Sequence, residues 1–146
     1  MGWRSEEDER AVSRALAKVG LEELETAEVA ALSGGQRQRA WLAMALAQET
    51  PVLFLDEPTS ALDIGYQHSF MRLMRQLAGS KTLIAVIHDL AHVLRYADHV
   101  VAMKDGTVWD AGVPREVITP ALIEELYGLT VRVVDVDGEP AIVPVG

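Results

Sequence analysis

The sequence predicts an α/β protein in which parallel strands are flanked by helices and a small β-hairpin lies near the end of the chain. Two continuous apolar runs, Val52–Asp56 and residues 82–87, have the length and composition of buried strands. Around them, apolar residues recur at helical spacing. The pair Asp137-Gly138 is typical of a tight turn between antiparallel strands. Strands that alternate with helices indicate the α/β class, with a small antiparallel appendage.

Composition and charge restrict the class of protein. A chain of 146 residues, 49% of them apolar and 24% charged, suits one soluble globular domain. The formal net charge of −9, without a stripe of Lys and Arg, argues against binding to nucleic acid. The absence of cysteine fits a cytosolic protein without disulfides. No apolar run approaches the roughly 18 residues that a membrane span needs.

Capping signals define the first helix. Ser5, with Asp8 three residues later, forms a capping-box pattern. Apolar residues then recur at helical spacing, and Gly20 is well placed to end the helix. A helix is therefore predicted between Ser5 and Gly20.

The next segment predicts a helix followed by a strand. The helix begins at the turn 33–35 and runs to about Gln48. Its stretch 40–47 is apolar nearly all round, so we expect burial on several sides. Pro51 then precedes the strand Val52–Asp56, whose continuous apolar character suits a central strand of a parallel sheet.

Helices and strands continue to alternate along the chain. Asp63 is a candidate N-cap for a helix that Gly79 ends, with one apolar stripe formed by Phe70, Leu73, Met74 and Leu77. The strand 82–87 and a short helix at Leu90–Tyr96 follow. This order of elements supports the α/β prediction.

Two hairpins are predicted in the last third. Asp105-Gly106 separates strands at 99–104 and 107–111 and favours a type I′ turn. One or two short helices lie between Pro114 and Tyr127. Strands at Val131–Val136 and 141–145 then flank Asp137-Gly138.

The turn Leu32-Ser33-Gly34-Gly35-Gln36 is suited to hold phosphate. A helix N-terminus presents unpaired N–H groups and the positive end of its dipole. Gly34 and Gly35 would let a phosphate approach the backbone, and the Ser33 hydroxyl adds a donor. Taken alone, such a turn is most often an ordinary helix start.

Two adjacent carboxylates, Asp56 and Glu57, come at the end of that strand. Ligands of open α/β sheets bind at the carboxyl ends of the strands. There Asp56 is a candidate ligand for Mg²⁺, directly or through water. Glu57 is placed to orient the attacking water or to accept its proton, a role worth about 10²–10⁴-fold in rate.

A histidine follows the second strand. His88 comes directly after the run 82–87, so it is expected at the same sheet edge as Asp56. An imidazole there would hydrogen-bond a γ-phosphate and the attacking water. His68, His92 and His99 have no comparable context and are interpreted as surface or helix residues.

These residue sets resemble the nucleotide-binding subunits of ABC transporters. Residues 32–36 are similar to the signature motif, Asp56 and Glu57 to the Walker B pair, 60–63 to the D-loop and His88 to the switch histidine. The resemblance implies ATP and Mg²⁺ as cofactors. It also implies a homodimer in which Ser33, Gly34, Gly35 and Gln36 act on ATP held by the partner, while Asp56, Glu57 and His88 act in cis. Asp63 is counted with the cofactor-binding residues.

A finer resemblance concerns the transported substrate. The segments 95–98, 112–119, 125–128 and 141–144 are similar to importers of ferric siderophores, haem and cobalamin, with siderophores first. It implies permease subunits as partners, a substrate-binding protein as an indirect partner, and a place at the cytoplasmic face of the cell membrane.

The resemblance also implies three regions. Residues 1–50 correspond to part of the helical signature subdomain. Residues 51–112 correspond to part of the α/β core of a P-loop NTPase. Residues 113–146 hold the C-terminal helices and hairpin.

One family motif is missing from the sequence. No phosphate loop of the form Gly-x-x-x-x-Gly-Lys-[Ser/Thr] occurs in the 146 residues. The segment Gly2-Trp3-Arg4-Ser5 resembles the family just after its glutamine loop, so the chain is expected to begin in mid-domain. The sheet should then expose edges and apolar faces, and the chain alone should bind ATP weakly or not at all.

Three explanations stay open from the sequence. The favoured one is a truncated part of an intact transport ATPase. The second is a genuine half-domain that binds a partner ATPase or permease without hydrolysing ATP. The third is a soluble ABC ATPase that acts outside transport.

Overall fold

The computed structural model describes residues 5–145. The predictions that concern residues 1–4, among them the family-like segment at Gly2, lie outside the described residues. The elements are α1 (Glu6–Val19), α2 (Gly34–Leu46), β1 (Val52–Asp56), α3 (Ile64–Leu77), β2 (Thr82–Val86), α4 (Leu90–Tyr96), β3 (Val100–Lys104), β4 (Thr107–Gly112), α5 (Pro114–Val117), α6 (Pro120–Tyr127), β5 (Val131–Val136) and β6 (Glu139–Pro144). Contacts divide the chain into two compact units, one that reaches to Val86 and one that starts at Ile87.

Helix α1 begins and ends where the sequence predicts. The Ser5 hydroxyl accepts a hydrogen bond from the Asp8 N–H at 3.1 Å, and the Asp8 carboxylate accepts one from the Ser5 N–H at 2.9 Å. At the other end Gly20 adopts a left-handed conformation with φ 69°. The helix buries one face, formed by Ala11, Ala15 and Val19, and packs against α2. Among the described helices, none is long and apolar enough to cross a membrane.

Helix α2 ends at Leu46, slightly before the predicted end at Gln48. Its expected burial on several sides is wrong. Leu42 and Leu46 are buried, whereas the side chains of Trp41 and Met44 are 54% and 56% exposed. The reason is that α1 covers one face of α2, and the face that carries Trp41 and Met44 is left to solvent.

An ion pair links α1 to the loop after α2. The Arg14 guanidinium donates to Glu49 Oε1 from both Nε, at 3.2 Å, and Nη2, at 2.7 Å. This hydrogen bond and charge hold the pKa of Glu49 below its ordinary value.

Strands β1 and β2 form a parallel pair, with Val52 opposite Thr82 and Asp56 opposite Val86. The prediction of a central strand is wrong for the described residues, because the sheet they form here has two strands. Leu53 is buried, but Phe54 on the opposite face is 72% exposed. The expectation that this sheet exposes an apolar face is confirmed, and Val52, Ile84 and Val86 extend that face.

Helix α3 connects the two strands. Asp63 is its N-cap, as predicted, and Phe70, Met71, Met74 and Leu77 are buried. Leu73, predicted in the same stripe, is half-buried. The helix ends at Leu77, and Gly79 follows the cap residue Ala78.

The second unit contains both predicted hairpins. In the β3–β4 turn Asp105 and Gly106 have φ values of 50° and 76°, as a type I′ turn requires. Asp137 and Gly138 likewise have φ values of 54° and 87° between β5 and β6. The core of this unit is formed by Val93, Leu94, Ile118, Ile123 and Val131.

His92 departs in part from the sequence prediction. It lies in α4, as a helix residue, but its side chain is only 3% exposed, so the surface alternative is wrong for it. Its Nδ1 lies 3.7 Å from the Asp89 carboxylate. The buried neighbours Val93 and Leu94 place this part of α4 in the core of the second unit, which explains the burial.

Candidate functional site

The turn before α2 is a fully formed helix start. The Ser33 hydroxyl accepts a hydrogen bond from the Gln36 N–H at 3.2 Å, and the Gln36 side-chain oxygen accepts one from the Ser33 N–H at 2.9 Å. The Arg37 N–H donates to the Ser33 carbonyl at 2.8 Å. The N–H groups of Gly34 and Gly35 come before this bond, so they have no partner within the helix. They are the donors that the positive end of α2 offers to an anion.

Gln36 also has a structural role that was not predicted from the sequence. Its side chain closes the capping box with Ser33. The signal was present, because a serine followed three residues later by glutamine is a capping-box pattern.

The two glycines of the turn have different surroundings. Gly34 is exposed, and a Cβ added to it would meet nothing within 4 Å. Gly35 is buried, and a Cβ there would lie 2.7 Å from Cδ1 of Tyr66. Space for a ligand is therefore open at Gly34. At Gly35 the Tyr66 ring takes up the space of a Cβ, which gives a further reason for glycine, and the predicted phosphate contact stays a prediction.

The carboxylates stand at the end of the parallel pair. Asp56 is the last residue of β1 and is exposed. The next residue, Glu57, is exposed and has a φ of 43°, in the left-handed region. Its N–H donates to the Val86 carbonyl at 3.2 Å and so continues the strand pairing. A non-glycine residue in this conformation costs about 1–2 kcal/mol, and such strain concentrates at functional sites.

The segment 57–62 folds into a compact loop. The Ser60 N–H and hydroxyl both donate to the Glu57 carbonyl, at 3.2 and 3.1 Å. The Leu62 N–H donates to the Thr59 carbonyl at 3.1 Å. Thr59 itself is only 8% exposed. The loop therefore holds the backbone of Glu57 in place.

Gln67 of α3 also holds this loop. Its Nε2 donates to the Thr59 carbonyl at 3.3 Å and to the Leu62 carbonyl at 2.9 Å. Gln67 is not predicted from the sequence, because no local pattern identifies a glutamine whose partners are backbone carbonyls of a preceding loop.

Asp63 is engaged in local structure. Its carboxylate accepts a hydrogen bond from the Tyr66 N–H at 3.0 Å and caps α3. The predicted contact of Asp63 with a cofactor stays a prediction.

His88 lies between β2 and α4 in the second unit and is exposed. The residue after it, Asp89, caps α4 by accepting hydrogen bonds from the N–H groups of Ala91 and His92, at 2.8 and 3.3 Å. The catalytic role of His88 stays a prediction.

Few candidate metal ligands lie together among the described residues. Within residues 5–145 there is no group of three or more His, Asp or Glu side chains that could hold a metal ion. The exposed Asp56 carboxylate is a hard oxygen ligand of the kind Mg²⁺ prefers. Mg²⁺ commonly takes one or two carboxylates together with phosphate oxygens and water, and Asp56 fits that pattern.

Comparison with known proteins found sequence relatives of this chain. Residues 2–60 match the ABC transporter family model. The chain is 47% identical over 148 residues to the ferric enterobactin transport ATP-binding protein of Escherichia coli, covering 99% of this chain and 54% of the relative. It is 44% identical over 146 residues to a probable siderophore transport system ATP-binding protein of Bacillus subtilis, covering 97% of this chain and 53% of the relative. The chain thus spans about half the length of these curated relatives.

Solved structures agree with the α/β fold. One is described as an inward-facing ABC transporter of metal-chelate type. It matches with a TM-score of 0.87 and 27% identity, and covers 99% of this chain and 59% of that chain. A second, the ADP conformation of an ATP-binding cassette of an ABC transporter, matches with a TM-score of 0.75 and 25% identity. It covers 85% of this chain and 52% of that chain. The predicted fold class is confirmed.

Proposed function

We propose that the chain forms part of the ATPase subunit of an importer, because residues 2–60 match the ABC transporter family model and its named relatives are ATP-binding proteins. The observation that carries the proposal is the pair Asp56 and Glu57 at the carboxyl edge of the β1–β2 sheet. There Glu57 is held in a left-handed conformation by its bond to Val86. A strained carboxylate at that edge is suited to catalysis.

Each site residue then has a definite task. Bound Mg·ATP would supply the phosphoryl group that is transferred to water. The Asp56 carboxylate offers an oxygen ligand to Mg²⁺, and Glu57 orients the water and accepts its proton. His88 would hydrogen-bond the reacting phosphate.

The turn before α2 acts on the nucleotide of a second subunit. The Ser33 hydroxyl and the N–H groups of Gly34 and Gly35 donate to the nucleotide held by a second ATPase subunit. Gln36 keeps the Ser33 backbone in the geometry of a helix start. Asp63 fixes the start of α3 and lies in the loop that faces the same nucleotide.

The cargo is proposed from the names of the relatives. Ferric enterobactin and siderophore occur in those names, and one solved structure is described as metal-chelate type, which favours an iron siderophore or a related metal chelate. We infer that the chain has the partners of an importer's ATPase subunit. These are permease subunits and, indirectly, a substrate-binding protein. The chain would act at the cytoplasmic face of the membrane, with residues 1–50, 51–112 and 113–146 as signature, core and C-terminal regions.

A chimera tests the proposal directly. In the E. coli relative, the aligned segment is replaced by this chain, and the rest of the relative is kept. The chimera should restore growth of a strain that lacks the relative when ferric enterobactin is the sole iron source. Glu57→Gln, which keeps the shape but removes the base, should abolish that growth at equal protein level.

Glu49 provides the matched control. It is also an exposed glutamate with positive φ, 52°, but it lies away from the sheet edge. Glu49→Gln should leave growth close to that of the parent chimera. Equal growth of the Glu57→Gln and Glu49→Gln strains would contradict the proposed function.

A further inference from the structure

The first turn of α3 contacts both parts of the candidate site. We propose that two of its residues, Tyr66 and Gln67, are positioning residues that hold the turn 33–36 and the loop 57–62 in one fixed geometry. A displacement of the turn then displaces the backbone of Glu57. The catalytic meaning of this coupling rests on the proposed function, whereas the coupling itself follows from the contacts.

Tyr66 forms the contact with the turn. Its Cδ1, Cε1 and Cγ atoms lie 2.7, 2.9 and 3.3 Å from the position of a Cβ on Gly35. Real Cβ atoms need more than about 3.4 Å for ordinary contact, so the ring packs directly on the glycine backbone. The Tyr66 side chain is 48% exposed, so a displacement of the turn toward α3 pushes the ring toward solvent.

Gln67 forms the contact with the loop. Its two hydrogen bonds, to the carbonyls of Thr59 and Leu62, span the segment in which Ser60 binds the Glu57 carbonyl. Thr59 is buried, so loss of the Gln67 donor would leave its carbonyl without this hydrogen bond, which costs free energy. The loop therefore follows the position of Gln67.

The two contacts are joined by stiff structure. Tyr66 and Gln67 are consecutive residues of one helix, and both of their N–H groups bind Asp63. The Tyr66 N–H donates to the Asp63 carboxylate at 3.0 Å, and the Gln67 N–H donates to the Asp63 carbonyl at 2.8 Å. A capped helix start has little freedom to bend between adjacent residues, so it transmits displacement.

Such a coupling links two composite sites. The turn 33–36 is proposed to contact the nucleotide of a second subunit, while Glu57 serves the nucleotide of its own subunit. Through Tyr66 and Gln67, closure of the turn on one nucleotide would fix the water-orienting group beside the other.

Hydrogen exchange on the 146-residue chain tests the coupling without any nucleotide. The amides of Ser60 and Leu62 report on the loop, and those of Ala15 and Val19, buried in α1 of the same unit, report on opening of that whole unit. Gly35→Ala should accelerate exchange at Ser60 and Leu62 by about tenfold or more through overpacking against Tyr66. Gly34→Ala adds the same methyl group in open space and should change that exchange less than about twofold.

A double variant identifies the route. In a Tyr66→Ala background, Gly35→Ala should have no further effect on Ser60 and Leu62, because the ring that it displaces is gone. Should Gly35→Ala alone unfold the chain, Tyr66→Ala should restore folding. Unchanged loop exchange in Gly35→Ala, an equal effect in both backgrounds, or failure of that rescue would each overturn the proposal.

Steady-state kinetics of the chimera test the role in the reaction. Gln67→Glu keeps the shape but replaces the donor by an acceptor, and should lower kcat about tenfold while KM for ATP stays nearly constant. Gln76→Glu, the same change in the last turn of α3, is the control and should leave kcat unchanged. Equal kcat in the two variants would overturn the role of Gln67. If the unsubstituted chimera hydrolyses no ATP, the proposed function fails, and hydrogen exchange still decides the coupling.

Discussion

The turn 33–36 and the strand end at Asp56–Glu57 are built in different ways. The turn is held by two reciprocal hydrogen bonds between Ser33 and Gln36, which are three positions apart in the sequence. The strand end depends on distant groups, since Glu57 binds Val86 and its loop is held by Gln67. The difference shows that this helix start is capped by local hydrogen bonds, whereas a strained carboxylate needs the packed unit around it.

The largest expected effect tests whether the turn faces a phosphate. In the chimera, Gly34→Asp adds a carboxylate where space is open. Repulsion between unit charges at about 4 Å amounts to roughly 4 kcal/mol near a protein surface, so turnover should fall by more than about a hundredfold. Nucleotide affinity of the monomer, measured by isothermal titration, should change little. A monomer that loses ATP affinity would contradict action on a partner's nucleotide.

The next effect tests whether the turn is locally stabilised. Ser33→Ala removes the acceptor of the Gln36 N–H and should lower the free energy of unfolding by about 1 kcal/mol. Urea unfolding of the 146-residue chain, followed by circular dichroism, measures this. Ser33→Asp keeps an acceptor and should retain most of the stability. Equal losses in both variants would mean that the cap is not what holds the turn.

A smaller effect of opposite sign is expected at the strand end. Glu57→Gly removes the carboxylate but relieves the left-handed strain, since glycine adopts positive φ without steric cost. The free energy of unfolding should rise by roughly 0.5–1 kcal/mol, while uptake by the chimera is lost. Asp56→Gly, at a strand position with ordinary φ, should be destabilising. A loss of stability in Glu57→Gly would indicate that the Glu57 side chain stabilises the fold. The strained backbone would then have a structural reason and not a catalytic one.

The smallest effect concerns a charge outside the site. The Arg14 guanidinium lowers the pKa of Glu49, so the ion pair stabilises the fold above the pKa of unfolded glutamate. That contribution is lost as the pH falls through the lowered, folded value. Arg14→Ala should return the pKa of Glu49 toward its ordinary value in a carbon-13 NMR titration. An unchanged titration would mean that Arg14 does not hold Glu49 in solution.

What the sequence predicts well is what nearby residues decide. The caps at Ser5 and Asp63 and the turns at Asp105-Gly106 and Asp137-Gly138 were predicted from patterns a few residues long. Each depends on hydrogen bonds or φ angles within that short segment. The helix start at the turn 33–36 was also predicted from a short pattern.

What the sequence does not predict depends on residues far along the chain. The ring of Tyr66 on Gly35 and the bonds of Gln67 to the loop arise only when α3 packs against earlier segments. The exposure of Trp41 and Met44 depends on which elements cover that face of α2. An apolar run indicates that burial of that segment is favourable, but it does not identify the element that packs against it.

The open face of the β1–β2 sheet has a practical consequence for solubility. Phe54 is 72% exposed and Ile84 46% exposed on that face, and contiguous apolar surface promotes self-association. The net charge of −9 opposes this association by repulsion, which salt screens within about 10 Å at 0.1 M ionic strength. Sulfate and phosphate strengthen apolar contacts further. The chain should therefore stay dispersed in dilute, low-salt buffer and precipitate early in a sulfate gradient.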